Sequence, residues 1–167
     1  MKKIVLAYSG GLDTSYCLKM FAEDQYEVHA ITIDTGGFSE VEKNNIKKRA
    51  ISIGAKKYIS IKSKQSYYEQ IIKYLIYGNV LRNNNYPLSV SAERIIQAIE
   101  IIKYAKKNKI KKIAHGSTGA GNDQVRFDMI FQILAPEIKI ITPIRDGNIS
   151  RKEEINFLEQ KGVKIKW

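Results

Sequence analysis

The sequence predicts an α/β fold, a doubly wound parallel sheet of about five strands in the order 3-2-1-4-5. Three observations predict it. Strand and helix patterns alternate from one end of the 167 residues to the other, as in a parallel sheet covered by helices on both faces. A Ser9-Gly10-Gly11 loop follows the first strand. A second glycine-rich loop, Gly116 to Gly121, follows the fourth. Open sheets of this kind bind ligands at the carboxyl ends of strands, where the strand order reverses. In the order above, strands one and four are neighbours at that point, so both loops would face one crevice.

The elements follow in turn. Lys3 to Tyr8 is an apolar run that reads as the first strand. Thr14 to Asp24 reads as a helix, and Glu27 to Ile33 as the second strand. Ser39-Glu40-Val41-Glu42 is a capping box opening a helix to about Ile53, closed by Gly54. Lys57 to Ile61 is the third strand. Ser66-Tyr67-Tyr68-Glu69 predicts another capping box, with its helix ending near Gly78. Residues 79–90 are loop-like, with three consecutive asparagines and then Tyr86-Pro87. Ser91 is read as the cap of a long helix to about Asn108, with Ile95, Ile99 and Ile102 as its inward stripe. Lys111 to His115 is the fourth strand, Asp123 to Leu134 a helix, and Ile138 to Thr142 the fifth strand. Ser150-Arg151-Lys152-Glu153 caps a last helix, and Val163 to Lys166 begins a candidate sixth strand.

Composition narrows the class. Hydrophobic residues at 44% and charged residues at 27% describe a globular chain with one real core. No apolar run is long enough to span a bilayer, and the chain enters its first strand with no leader pattern. The lone Cys17 excludes an internal disulfide framework. A cytoplasmic location and no membrane partner are expected. The net charge of +11 invites a nucleic-acid partner. Against that, Lys outnumbers Arg 22 to 6 and is scattered through the sequence, whereas base recognition favours Arg and aromatic platforms. The densest stretch, Lys103 to Lys112, suits a helix C-terminus. A solvated basic face is the expectation, and nucleic acid is not the expected partner.

The two loops carry the chemistry. An apolar strand that stops at Ser-Gly-Gly and restarts as a helix leaves bare N–H groups at a helix N-terminus, a geometry that binds anions. The pattern is neither G-x-G-x-x-G nor G-x-x-x-x-G-K-[ST]. Ser-Gly-Gly-x-Asp-x-Ser over residues 9–15 resembles the pyrophosphatase loop of enzymes that split ATP into AMP and pyrophosphate. In the second loop, Thr118, Asn122, Asp123, Gln124 and Arg126 supply donors and acceptors of both signs. A zwitterion needs that mixture, with Arg or amide groups for its carboxylate and Asp or Thr for its ammonium. Asn122 and Arg126 share one helix face. No residue qualifies as a general base. His29 and His115 lack a nucleophile partner and are read as structural, and Cys17 as buried.

Three segments together resemble argininosuccinate synthase: residues 7–15, residues 115–127, and Tyr86-Pro87-Leu88-Ser89-Val90-Ser91-Ala92-Glu93-Arg94. The resemblance covers the whole chain, with the motifs in the family's order. It implies a Rossmann-like domain of the adenine nucleotide alpha hydrolase type. It also implies a reaction, in which ATP, citrulline and aspartate give argininosuccinate, AMP and pyrophosphate through a citrullyl-adenylate, with Mg²⁺ assisting. By that resemblance Ala7, Tyr8, Ser9, Gly10, Gly11, Leu12, Asp13, Thr14 and Ser15 would hold ATP, joined by Ile33 and Gly116. Tyr86, Ser91, Asn122 and Arg126 would bind citrulline, and Thr118, Asn122 and Asp123 would bind aspartate. Asp13 either orients the metal of the pyrophosphate or caps its helix.

Departures from the pattern are Ala120 where the family usually has Lys, Ser89 and Val90 where it has Gly and Thr, and Asp34-Thr35-Gly36-Gly37 after strand two. The family's chain is also more than twice as long and forms a homotetramer. Residues 1–167 are therefore expected to be the nucleotide-binding domain of a longer enzyme, without the family's C-terminal synthetase and oligomerisation domain, and to catalyse poorly alone. Two rivals remain: a tRNA-modifying enzyme with the same phosphate loop, lysidine-forming or thiolating, and a non-catalytic ATP-binding module.

Overall fold

Residue parity along the strands divides the interior into two cores. The computed structural model describes residues 2–164. In chain order these form β1 (Lys3–Ala7), α1 (Leu12–Glu23), β2 (Glu27–Asp34), α2 (Glu40–Ile53), β3 (Lys57–Lys62) and α3 (Lys64–Tyr67). A π-helical turn (Tyr68–Ile72) leads into α4 (Lys73–Tyr77), then the short strands β4 (Leu81–Arg82) and β5 (Tyr86–Pro87). There follow α5 (Ser89–Lys107), β6 (Lys112–Ala114), α6 (Asp123–Leu134), β7 (Lys139–Ile141), α7 (Pro143–Gly147) and α8 (Arg151–Gln160). The main sheet is wholly parallel, in the order β3-β2-β1-β6-β7. This is the 3-2-1-4-5 order the sequence predicts.

Ile4 and Leu6 of β1 point to one face, where Cys17, Leu18 and Phe21 of α1 and Ala50 and Ile53 of α2 cover them. Val5 points to the other, into a core built from Ile101 and Ala105 of α5 and Phe127 and Phe131 of α6. Burying both faces is what lets these strands be continuous apolar runs. α8 packs outside α1, with the Tyr16 and Phe157 rings edge to face at 4.9 Å. No helix among the described residues is long and apolar enough to cross a membrane.

The structure corrects several local expectations. The Ser66–Glu69 capping box does not form: α3 starts at Lys64, so Ser66 is already inside a helix and has no N-cap backbone. Ser91 lies in the first turn of α5, whose N-cap is Leu88. Its hydroxyl instead accepts from Arg126 Nη2 at 3.1 Å. The inward stripe of α5 is Ile96, Ala98, Ile101, Ile102 and Ala105, with Ile95 and Ile99 only half-buried. Within the 79–90 loop, β4 and β5 pair antiparallel. The proposed sixth strand does not begin at Val163 or Lys164, and its remaining residues lie outside those described.

Candidate functional site

Because β1 and β6 are adjacent, the loops that leave them meet. A Cβ on Gly116 would lie 3.1 Å from the Asp13 carbonyl carbon, so glycine lets the second loop rest closely on the first. Between and above them opens a cleft of about 780 Å³, within the range of small-molecule sites. Its walls come from the first loop and the start of α1, the end of β2, Phe38, the cleft face of α5, and the second loop with the start of α6.

Side-chain caps occur on two helices away from the cleft, and α1 and α6 are among the helices that lack them. α2 and α8 carry complete capping boxes, Ser39 with Glu42 and Ser150 with Glu153. α1 and α6 start at the cleft, and neither has a side-chain cap. Their first-turn N–H groups are therefore left for a ligand, and the helix dipoles favour an anionic one. The first loop spends its hydroxyls on its own shape instead. Ser9 Oγ accepts from the Gly11 N–H at 3.3 Å, and the Thr14 hydroxyl donates to the Gly11 carbonyl at 3.3 Å.

On the opposite wall, charges alternate. Arg94 donates from Nη1 to Glu93 at 3.1 Å and from Nε to Asp123 at 3.0 Å. Asp123 also accepts from Arg126 Nη1 at 2.8 Å. The Thr35 hydroxyl donates to Glu93 across the cleft's rim. Burial tends to raise the Asp123 pKa, but the bonds and charges of Arg94 and Arg126 outweigh it and hold the carboxyl below its usual range. Two carboxylates and two guanidiniums thus form a wall of no net charge that presents both signs, which suits zwitterions.

A further network fixes the second loop from behind. His115 is buried; its Nδ1 accepts from the Ser117 N–H at 3.3 Å, so its Nε2–H donates to Asp128 at 3.0 Å. Burial holds its pKa down, favouring this neutral form. Arg145 donates to the other Asp128 oxygen and, at 3.2 Å, to Gln124 Oε1. Gln124 in turn donates to the Gly119 carbonyl at 2.6 Å. His29 is likewise buried between Tyr104 and Glu27, and Cys17 is buried, its thiol pKa raised by desolvation. Both histidines and the cysteine are buried, and His115 also borders the cleft.

Of the residues singled out from sequence, Ala7, Tyr8, Ser9, Gly11, Leu12, Asp13, Thr14, Ile33, Gly116, Thr118, Asn122, Asp123 and Arg126 line the one cleft. Gly10 lies behind the loop, facing a smaller hollow of about 320 Å³ against α2. Ser15 is fully buried beside the Tyr8 hydroxyl, 3.2 Å away. Tyr86 is exposed on β5 and does not reach the cleft. Sequence reasoning missed Phe38, Gln97 and Arg145, and gave Glu93 and Arg94 no role. The available signal was a polar strip on α5, Glu93, Arg94 and Gln97 at helical spacing.

Among the described residues no group of three or more His, Cys, Asp or Glu is placed to hold a metal. Mg²⁺ that travels with nucleotide phosphates needs only one or two protein carboxylates. Asp13, lining the phosphate-loop side of the cleft, fits that requirement.

The arginosuccinate synthase N-terminal HUP domain family matches residues 3–164. Argininosuccinate synthase of Sulfurisphaera tokodaii is 44% identical over 98% of this chain and 42% of its own length. That of Lactococcus lactis subsp. cremoris is 40% identical over 98% of this chain and 41% of its own. The chain therefore spans about two fifths of the length of these curated relatives. A predicted subunit of tRNA methyltransferase from Methanocaldococcus jannaschii superposes with a TM-score of 0.58 at 20% identity, over 95% of this chain and 75% of that one. At that identity the likeness is one of fold alone.

Proposed function

As the chain belongs to the argininosuccinate synthase family through its N-terminal domain, we propose that it is the nucleotide-binding part of an AMP-forming carbon–nitrogen ligase that joins citrulline to aspartate. One observation carries the reading: α1 and α6, whose N-termini lack side-chain caps, both begin at the same cleft, beside a wall of alternating charge.

ATP phosphates would lie on the first-turn N–H groups of α1, with Ser9, Gly11 and Thr14 around them, and Asp13 the carboxylate for a phosphate-borne Mg²⁺. Mg²⁺ supplies charge neutralisation on the phosphate oxygens. The citrulline ureido oxygen attacks the α-phosphorus, the bond from that phosphorus to its bridging oxygen breaks, and pyrophosphate leaves. The aspartate amine then attacks the ureido carbon, the carbon–oxygen bond to AMP breaks, and argininosuccinate forms. For that attack the aspartate ammonium first gives up a proton, and since no residue among those described qualifies as its general base, that proton goes to water. The chain's contribution is to hold three reactants in line, which by itself is worth several orders of magnitude in rate. Arg126 and Asn122 would face the citrulline carboxylate, and Asp123 and Thr118 the aspartate. In the present structure Ser91 and Asp123 hold Arg126 in place.

Titration calorimetry of the protein with a nonhydrolysable ATP analogue, citrulline and aspartate tests this, with bulk tRNA as control. Nucleotide binding that tightens when the amino acids are added is the expected result. Tight, salt-sensitive tRNA binding, with no amino-acid effect on nucleotide affinity, would point to the tRNA-modifying class instead. Citrulline-dependent pyrophosphate release by the isolated 167 residues is expected to be slow, and full turnover would overturn the assignment as one domain of a longer enzyme.

A further inference from the structure

We propose that Gln97 reads the purine base of the nucleotide, donating its side-chain N–H to a ring nitrogen while the Ile33 carbonyl accepts from the adjacent exocyclic amine. The proposal rests on the nucleotide reading above. It starts from an unspent donor on the cleft wall. Gln97 Oε1 accepts from Arg94 Nη1 at 3.4 Å. A guanidinium can only donate, so the oxygen must be the atom turned to Arg94. The amide nitrogen is then the free end, and it has no partner among the described residues. The neighbouring polar groups are already committed: Glu93 to Thr35 and Arg94, and the Thr32 hydroxyl to the Tyr8 carbonyl at 2.7 Å. The rest of this inner wall is apolar, with Ile31, Ile33, Ile101 and Phe127. A flat apolar recess with one unspent amide is how small-molecule sites fix a ligand's orientation.

The acceptor follows from the ladder. β2 runs past the end of β1. Along a parallel strand, alternate residues bond to opposite neighbours. The Ile31 carbonyl accepts from Tyr8 on the β1 side at 2.8 Å, and the Asp34 carbonyl from Ser63 on the β3 side at 2.8 Å. The Ile33 peptide groups therefore face the side that β1 has vacated, which is the cleft that Ile33 lines.

An acceptor beside a donor complements adenine on either accessible edge, where the N6 amine adjoins N1 or N7, both acceptors. Guanine and hypoxanthine present O6 beside N1–H, the inverse order, or O6 beside N7, two acceptors. Either arrangement sets O6 against the Ile33 carbonyl. Sites built to pair a polar edge discriminate steeply, because a mismatch leaves buried groups unpaired.

Dissociation constants of ATP, ITP and GTP for the full chain and its Gln97→Leu and Gln97→Glu variants test the proposal, with melting temperatures recorded alongside. The wild type should prefer ATP over both rivals. Gln97→Leu should lose about tenfold in ATP affinity and little for ITP or GTP, so the preference narrows. Gln97→Glu replaces the donor with an acceptor at nearly constant shape and should lower ATP affinity at least as far; it carries the test if the leucine variant fails to fold. An unchanged ATP-to-ITP ratio in a folded variant overturns the proposal and leaves the nucleotide reading intact. A wild type that binds none of the three overturns both.

Discussion

The two glycine-rich loops meet at one cleft but differ in how closely their tips are packed. The first is packed tightly, with hydrogen bonds inside the loop from Ser9 and Thr14 and one from Arg49 of α2 to the Gly10 carbonyl. Gly10 adopts φ +82°, and a Cβ there would lie 3.0 Å from Ile46 Cγ1 of α2; Tyr8, Gly10, Leu12 and Ser15 are all buried. The second is held by polar bonds running from Arg145 through Asp128 and Gln124, while residues 118–122 stay exposed. Gly121 has nothing within 4 Å of where a Cβ would stand. The contrast suits the division of labour. Phosphate groups present the same tetrahedral array of anionic oxygens in every nucleotide, so a rigid cradle of N–H groups serves them. Two amino acids that must arrive, react and leave are better served by a loop with adjustable side-chain partners.

Glycine substitutions break the comparison most directly. Gly10→Ala should be the most damaging single change considered, because left-handed backbone costs a side chain about 1–2 kcal/mol and the added methyl also strikes Ile46. ATP affinity should fall by well over tenfold and the melting temperature by several degrees. Gly121→Ala should leave both nearly untouched in the same calorimetric and melting assays. Similar effects at the two positions would refute the claim that Gly10 is closely packed where Gly121 is not.

The polar bracing of the second loop comes next in size. Asp128→Ala strands the buried His115 Nε2–H and removes a carboxylate from Arg145, a loss of about 2–3 kcal/mol. Melting should register it. At temperatures where the variant is folded, the effect of citrulline and aspartate on nucleotide affinity should weaken more than nucleotide affinity itself. Arg126→Ala should do the same with a smaller stability cost, since Arg126 is only half-buried and its partners Asp123 and Ser91 can be met by water. Equal loss of nucleotide and amino-acid binding would mark a folding defect rather than a specific contact.

This division also explains what the sequence could tell. The sheet order and both loops were legible, since alternation of elements and glycine placement are local signals that parallel topology converts into a site. α6 begins at Asp123 and ends at Leu134 as read. The capping boxes at Ser39 and Ser150 formed because each serine is itself extended, with φ/ψ fit for an N-cap. The same pattern at Ser66 did not form, because the chain had already turned helical directly after β3. Side chains whose partners are remote stayed hidden: Arg145 reaches back 17 residues to Asp128 and 21 to Gln124. Gln97 was hidden among the isoleucines of a helix whose buried face was misplaced by a residue. The basic charge was legible as a total and not as a shape. Lys3, Lys57, Lys112 and Lys139 each open a strand, and a parallel sheet enters every strand from one end, so scattered lysines gather opposite the cleft. Helix C-termini end there too, which suits cations.

A buried carboxyl behind the first loop supplies the smallest effect. Glu154 of α8 is 2% exposed, and its Oε2 has no hydrogen-bond partner. Burial first, and then the nearby Asp13, push its pKa up from the ordinary 4.5 to about 7, against a small opposing pull from Arg151. The folded state thus holds this proton more tightly than the unfolded chain. The associated stability is complete below about pH 4.5 and is lost as pH rises through 7. Glu154→Gln keeps the shape and cannot ionise. It should match the wild type near pH 4.5, where Glu154 is already neutral, and exceed it at pH 8 by on the order of 2 kcal/mol, a rise of several degrees in melting temperature. The variant's stability curve should be flatter between pH 4.5 and 7. A variant that loses stability equally at both pH values would show instead that Glu154 accepts a bond essential to the α1–α8 contact.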